Sequence, residues 1–163
     1  MKKIIITIML ALPMFAAAQK FGHVNTQEVF SLMPEVAQVK MKMDTIQSQY
    51  ENQLTSMNEE IQKKYQDYQE QEATMADAIK QIRQQELQEM QQRIQLFYQT
   101  AEQDIQKKQQ ELLAPVHEKM AKAIKTVGDR EGYTYIFDTT SMVHIGADAN
   151  DATPAVKKEL GIK

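Results

Sequence analysis

His117 is followed directly by Glu118, the opening pair of a helical zinc-protease motif in which two histidines one turn apart hold the metal and the glutamate acts as base. The residue four positions on is Ala121, so the second ligand is missing and the pair reads as solvated helix. Ser141, His144 and Asp148 supply the residue types of a nucleophilic triad, but no nucleophile elbow or recognised order and spacing joins them. Asp148-Ala149-Asn150-Asp151 gathers oxygen donors without the glycine and distal glutamate of a calcium loop, and reads as a polar turn. His23 has the right chemistry for a pH sensor, yet an imidazole on a short strand more often finds a local partner or solvent. The chain has no Cys, which removes disulfides, thiolate catalysis and cysteine metal sites together. The residues assign no catalytic group, no metal and no cofactor, and argue against an enzyme.

The chemistry that does stand out is that of adaptable apolar contact. Met41, Met43, Met57, Met75 and Met90 place flexible, polarizable side chains on a framework otherwise dominated by Gln and charge. Such a surface accommodates varied apolar segments without demanding one shape. Met43, Met57 and Met90 also fit the seam of a helical hairpin. Met41 and Met75 fall off or near the edge of the apolar stripe and are the better contact candidates. Met57, Met90, Tyr65 and Tyr68 complete the candidate set.

Long helices must carry these residues. From Glu35 to about Gln71 there is no Gly or Pro, and Val36, Val39, Met43, Ile46, Tyr50, Leu54, Met57, Ile61, Tyr65 and Tyr68 recur at intervals of three and four. At ~1.5 Å per residue this predicts a rod of roughly 55 Å. A second run begins near Ala78 and includes Ile82, Leu87, Met90, Ile94, Phe97, Ala101, Ile105, Leu112, Val116, Ile124 and Val127. Two such runs imply an antiparallel hairpin, residues 35–111, with its tip near 72–77. Pro115 predicts a kink where this arm meets the rest of the chain.

The two chain ends read differently. Phe21–Thr26 suggests a strand, and Asn25 is placed to cap a short helix with Glu28 returning the bond. Pro34 suits the first turn of the next helix. Gly128 and Gly132 should close the return helix. Tyr133–Thr139 and Met142–Ala147 suggest a β-hairpin, and Thr153-Pro154 suggests a Thr-capped final helix. Residues 19–34 and 112–163 would together form a small β-containing body, giving an α+β architecture with a long coiled-coil arm. Residues 1–18 have the layout of a secretory signal, with Lys2 and Lys3, an apolar run from Ile4 to Leu12 and Ala16-Ala17-Ala18. Its removal would leave 145 of the 163 residues as an exported chain.

Between Glu35 and Glu111 nine Lys or Arg stand against fourteen Asp or Glu, whereas the rest of the processed chain balances at eight of each. The arms hold the whole acidic excess. Nucleic acid is therefore not an expected partner, nor is an anionic membrane surface.

The Phe-Gly-His-Val-Asn-Thr strand at 21–26, the paired helices, Leu113-Ala-Pro-Val116, Gly132-Tyr-Thr-Tyr-Ile-Phe-Asp138 and Asp151-Ala-Thr-Pro154 together resemble the Skp/OmpH family over essentially the whole processed chain. The resemblance implies an ATP-independent periplasmic holding chaperone: a homotrimer whose arms enclose unfolded outer-membrane β-barrel proteins. Phe21, Val24, Tyr133, Tyr135, Ile136, Phe137, Val143 and Ile145 would then be residues of the trimerisation body. The best-known members have basic arms; these are acidic, so stable binding of lipopolysaccharide or membrane does not carry over. A structural or adaptor coiled coil of the envelope is the competing reading.

Overall fold

The computed structural model describes residues 19–162, and the expected leader lies outside the described residues. In chain order the elements are β1 (Phe21–Val24), α1 (Thr26–Leu32), α2 (Pro34–Gln71), a 3-10 turn (Glu72–Thr74), α3 (Asp77–Glu131), β2 (Tyr135–Asp138), a second 3-10 turn (Thr139–Ser141), β3 (Asn150–Asp151) and α4 (Thr153–Glu159). They form two compact units: the described residues up to Val29 together with those from Lys122 onward, and the run Phe30–Ala121.

In the first unit, β1 is the central strand of a sheet ordered β2-β1-β3, and both neighbours run parallel to it. This corrects the expected hairpin. Met142–Ala147 forms no strand, and the third strand comes instead from the stretch expected to be a polar turn. Local side-chain bonding explains the change. Asp138 Oδ1 accepts from the Thr140 amide at 3.0 Å, and Ser141 Oγ donates to the Asp138 carbonyl at 2.8 Å, which curls the chain off the sheet after β2. It returns on the other side of β1, where Asn150 Nδ2 donates to the Phe21 carbonyl at 2.9 Å.

Strand alternation sends Gly22 and Val24 inward. Val24, Val29, Val127 and Val156 are fully or almost fully buried, each contributing on the order of 1.5–3 kcal/mol relative to exposure. Gly22 is required by close approach: a Cβ there would lie 2.5 Å from Tyr133 Cε1 and 3.2 Å from the Asn150 carbonyl oxygen. Gly132, at φ +71°, ends α3, with the Tyr133 amide donating to the Gly128 carbonyl at 3.0 Å. Gly128 itself is buried within the helix, so Gly132 alone supplies the terminating conformation.

Two caps also differ from expectation. Asn25 Oδ1 accepts from the Glu28 amide at 3.0 Å as expected, but the Asn25 amide donates to Thr153 Oγ1 at 3.0 Å, and the Glu28 carboxylate meets Lys157. Thr153 accordingly does not cap α4. Ala152 holds that position, and Asp151 Oδ1 accepts from the Thr153 amide at 2.8 Å.

In the second unit, α2 and α3 pair antiparallel. Residues meet across them in descending order: Glu35 with Lys119, Tyr50 with Asp104 at 2.7 Å, and Tyr68 with Gln84 at 2.8 Å. Pro34 opens α2, and the 3-10 turn falls within the expected tip, the Met75 amide donating to the Gln71 carbonyl at 3.1 Å. The seam buries Val39, Met43, Tyr68, Met90, Ala101 and Val116. Helix α3 continues through Pro115 as one helical element. Glu111 and Pro115 are both exposed, which puts the carbonyl deprived of an amide partner on the water side, where its loss costs least.

Candidate functional site

Most of the residues with catalytic potential are occupied in structural roles, and the rest are not gathered into a site. His117 stacks on Phe30, ring centroids 4.9 Å apart and 13° from parallel. Ser141 is tied to the Asp138 carbonyl, while His144 and Asp148 stand exposed. Asn150 and Asp151 belong to β3. Among the described residues no group of three His, Cys, Asp or Glu could hold a metal ion, and no helix is long and apolar enough to cross a membrane.

What the fold does present is exposed apolar surface, in each unit separately. On the sheet, register places Phe21 beside Tyr135, and His23 beside both Phe137 and Asp151. These residues share the face opposite Gly22 and Val24. Phe21, Tyr135 and Phe137 form a mutually stacked cluster with centroids 5.9 to 6.4 Å apart. They remain 45%, 57% and 43% exposed, an expensive way to leave three large rings in water. Val143 is fully exposed and Ile145 is 38% exposed, whereas Val24 is buried and Tyr133 and Ile136 are partly covered. Tyr133 is held in place by Lys20, whose Nζ sits 3.9 Å from its ring centroid.

Beside the aromatic cluster, His23 Nε2 lies 3.8 Å from Asp151 Oδ1. Burial on its own raises the Asp151 carboxyl. The hydrogen bonds from Thr153 and the neighbouring His23 and Lys157 charges outweigh it and hold the group below the ordinary carboxylate value.

On the hairpin the candidate residues divide. Met41 and Tyr65 are 62% and 52% exposed, Met57 and Met75 are partly covered, and Met90 and Tyr68 are buried in the seam. Tyr68 donates to Glu72 Oε1 at 3.0 Å while accepting from Gln84. Tyr50 donates to Asp104 Oδ2 and packs against Phe97 at 5.8 Å. Both tyrosines therefore hold the hairpin together. Leu96 and Tyr98 are also strongly exposed and lie outside the sequence-based set. The signal for them was three consecutive large apolar residues, 96–98, of which a two-helix seam can bury only the central one.

Against this geometry, the family model described as Outer membrane protein (OmpH-like) matches residues 20–160. The chain belongs to the OmpH-like family. Among similar proteins, Chaperone protein Skp of Pectobacterium atrosepticum is 26% identical over 144 residues, covering 88% of this chain and 87% of the relative. Chaperone protein Skp of Photorhabdus laumondii is 25% identical over 142 residues, covering 87% and 86%. A crystal structure of a putative outer membrane chaperone (OmpH-like) from Caulobacter crescentus superposes with a TM-score of 0.78 at 18% identity, over 87% of this chain and 83% of that one. This last likeness is one of fold: the OmpH-like pairing of long helices with a small sheet built from both chain ends.

Proposed function

We propose that this protein is a periplasmic holding chaperone that works without ATP, binding unfolded outer-membrane β-barrel proteins between the hairpins of a homotrimer and preventing their aggregation. The observation that carries the reading is a hairpin that leaves Met41, Tyr65, Ile82, Leu96 and Tyr98 each more than half exposed. A hairpin serving only as a rigid spacer has no reason to keep such groups in water. The relatives named as chaperones, matched over most of their length, support the same reading.

The aromatic face of the sheet supplies the means of association. Phe21, Tyr135 and Phe137 form an apolar surface suited to a second and third copy, since covering stacked rings recovers about 25 cal/mol per Å² removed from water. Hairpins gathered in this way would surround a client with many weak contacts. Release then needs no nucleotide, because those contacts are exchanged for better ones as the client inserts and folds. The acidic excess of residues 35–111 argues against stable capture of lipopolysaccharide or membrane.

The test is dilution of a urea-unfolded outer-membrane β-barrel into buffer with the processed protein. Aggregation should be suppressed at one trimer per client, and light scattering should give three times the monomer mass. Unchanged aggregation would refute the chaperone reading, and a pull-down limited to one folded envelope protein would favour an adaptor.

A further inference from the structure

Two opposite surfaces run along the helical pair, and they differ in chemistry more than in apolar content. One is a pair of adjoining troughs with apolar walls of Leu54, Ile61, Tyr65, Leu87, Ile94 and Tyr98. Its polar lining consists of Asn58, Gln62, Gln66, Gln69, Gln91 and Gln95. Every one of those polar residues is an amide. The opposite surface is lined by Met57, Tyr68, Met75 and Met90 and shares Leu87 and Ile94 with the first, but six of its eight polar residues are ionised: Glu60, Lys64, Asp67, Arg83, Glu86 and Arg93. Charges make up 23 of residues 35–111, so a twelve-residue lining without one departs from the composition around it.

The spacing generates this difference directly. On α2 the positions 54, 58, 61, 65 and 69 advance by three or four, as do 87, 91, 94 and 98 on α3, so each set lies on one helical stripe. Among the described residues the side chains of Gln62, Gln66, Gln69, Gln91 and Gln95 make no hydrogen bond to another part of the chain, whereas Asn58 Nδ2 donates to the Leu54 carbonyl at 2.9 Å. Each amide offers two donors and a carbonyl acceptor. A ligand that displaces water from these exposed amides has to bring both donors and acceptors, at close spacing, together with apolar groups.

We infer that the uncharged trough is where the hairpin holds its client, and that the occupant is an extended, locally uncharged polypeptide segment whose backbone amides and carbonyls pair with the glutamines while alternate apolar side chains rest against Ile61, Leu87 and Ile94. The inference rests on the chaperone reading and specifies its contact surface. An extended strand not yet paired into a sheet has a row of unsatisfied N–H and C=O groups, and alternation points every second side chain to one side. That matches amides flanking an apolar floor. A charged segment would lose hydration without gaining a counter-ion. The trough thereby selects the apolar face of a nascent strand, and Tyr65 and Tyr98 at its margin add flat, low-entropy contact area.

The experiment uses the full processed chain and a urea-unfolded outer-membrane β-barrel as probe, with binding followed by fluorescence anisotropy. Gln62→Lys/Gln95→Lys and Gln62→Glu/Gln95→Glu should each weaken binding about tenfold or more, regardless of sign. Gln53→Lys/Gln71→Lys on the charged surface should leave it within about twofold. Lys, Glu and Gln have similar helix propensities, so helicity by circular dichroism should be unchanged in all three. A photo-crosslinker at Tyr65 or Tyr98 should label the client, and one at Asp67 or Arg93 should not. Opposite effects of the Lys and Glu variants would mean charge attraction and overturn the inference. So would equal labelling from both surfaces, or label found only on another copy of this chain. If the unaltered protein fails to hold the client, the chaperone reading itself falls, an outcome distinct from any of these.

Discussion

The sheet-bearing unit and the hairpin solve the problem of burial in opposite ways. The first closes over small β-branched residues, with Val29, Val127 and Val156 wholly buried and a glycine where no side chain fits. The second has few fully buried groups and fills its seam with Met, Tyr and Ala beside two valines, leaving most stripe residues half covered. A tight core fixes one geometry; a loose seam of flexible side chains tolerates many. The contrast suits the proposed division of labour, in which one unit matches other copies of itself and the hairpin accepts varied guests.

The largest effect should come from charging the aromatic face. Tyr135→Glu puts a carboxylate beside Phe21 and Phe137, and should convert the proposed trimer to monomer, a threefold fall in mass by light scattering, while hairpin helicity survives. A trimer that persists would separate the exposed rings from assembly and break the comparison. Gly22→Ala comes next. Its Cβ would overlap the Tyr133 ring and press on the Asn150 carbonyl, so overpacking should cost about 1–3 kcal/mol in urea unfolding followed by tyrosine fluorescence. In the hairpin, Met57→Leu should cost under about 1.5 kcal/mol, because the seam can repack. Equal costs would show that the two units are packed alike.

A smaller effect is carried by Asp138, which accepts from Thr26 Oγ1 at 2.5 Å and from the Thr140 amide. Burial raises this carboxyl, but those hydrogen bonds outweigh it and leave it below the ordinary value. The lowered value means the stabilisation is complete above the unfolded carboxylate pKa of about 3.9 and disappears as pH falls through the folded one. Asp151 behaves likewise. Asp138→Asn turns an amide NH₂ toward a donor and should cost about 1–2 kcal/mol at pH 7, with less cost at pH 3. A pH-independent cost would show that the carboxylate charge plays no part.

Much of this architecture was legible in the residues because long helices announce themselves by period: both limits of α2 and the tip near Glu72 follow from apolar spacing and Pro34. The sheet was not, because its pairings join residues more than a hundred positions apart, and a two-residue strand has too few positions to alternate. Asn150 and Asp151 look like a turn until Gly22 and His23 supply their partners. The uncharged trough was present as Gln and Asn at helical spacing, but only the pairing of α2 with α3 brings the two amide stripes onto one surface.

The smallest effect tests whether the seam is as loose as its composition suggests. Tyr68 is the best-covered aromatic of the hairpin, and its hydroxyl links Glu72 on one side of the tip to Gln84 on the other. Tyr68→Phe keeps the ring and removes both bonds. If the hairpin is held by many replaceable contacts, the loss stays local: amide exchange near residues 68–84 should quicken severalfold while the global unfolding midpoint holds. If the midpoint shifts together with the sheet-bearing unit, the hairpin unfolds as one cooperative body with it, and its tolerance for guests cannot come from local yielding at the tip.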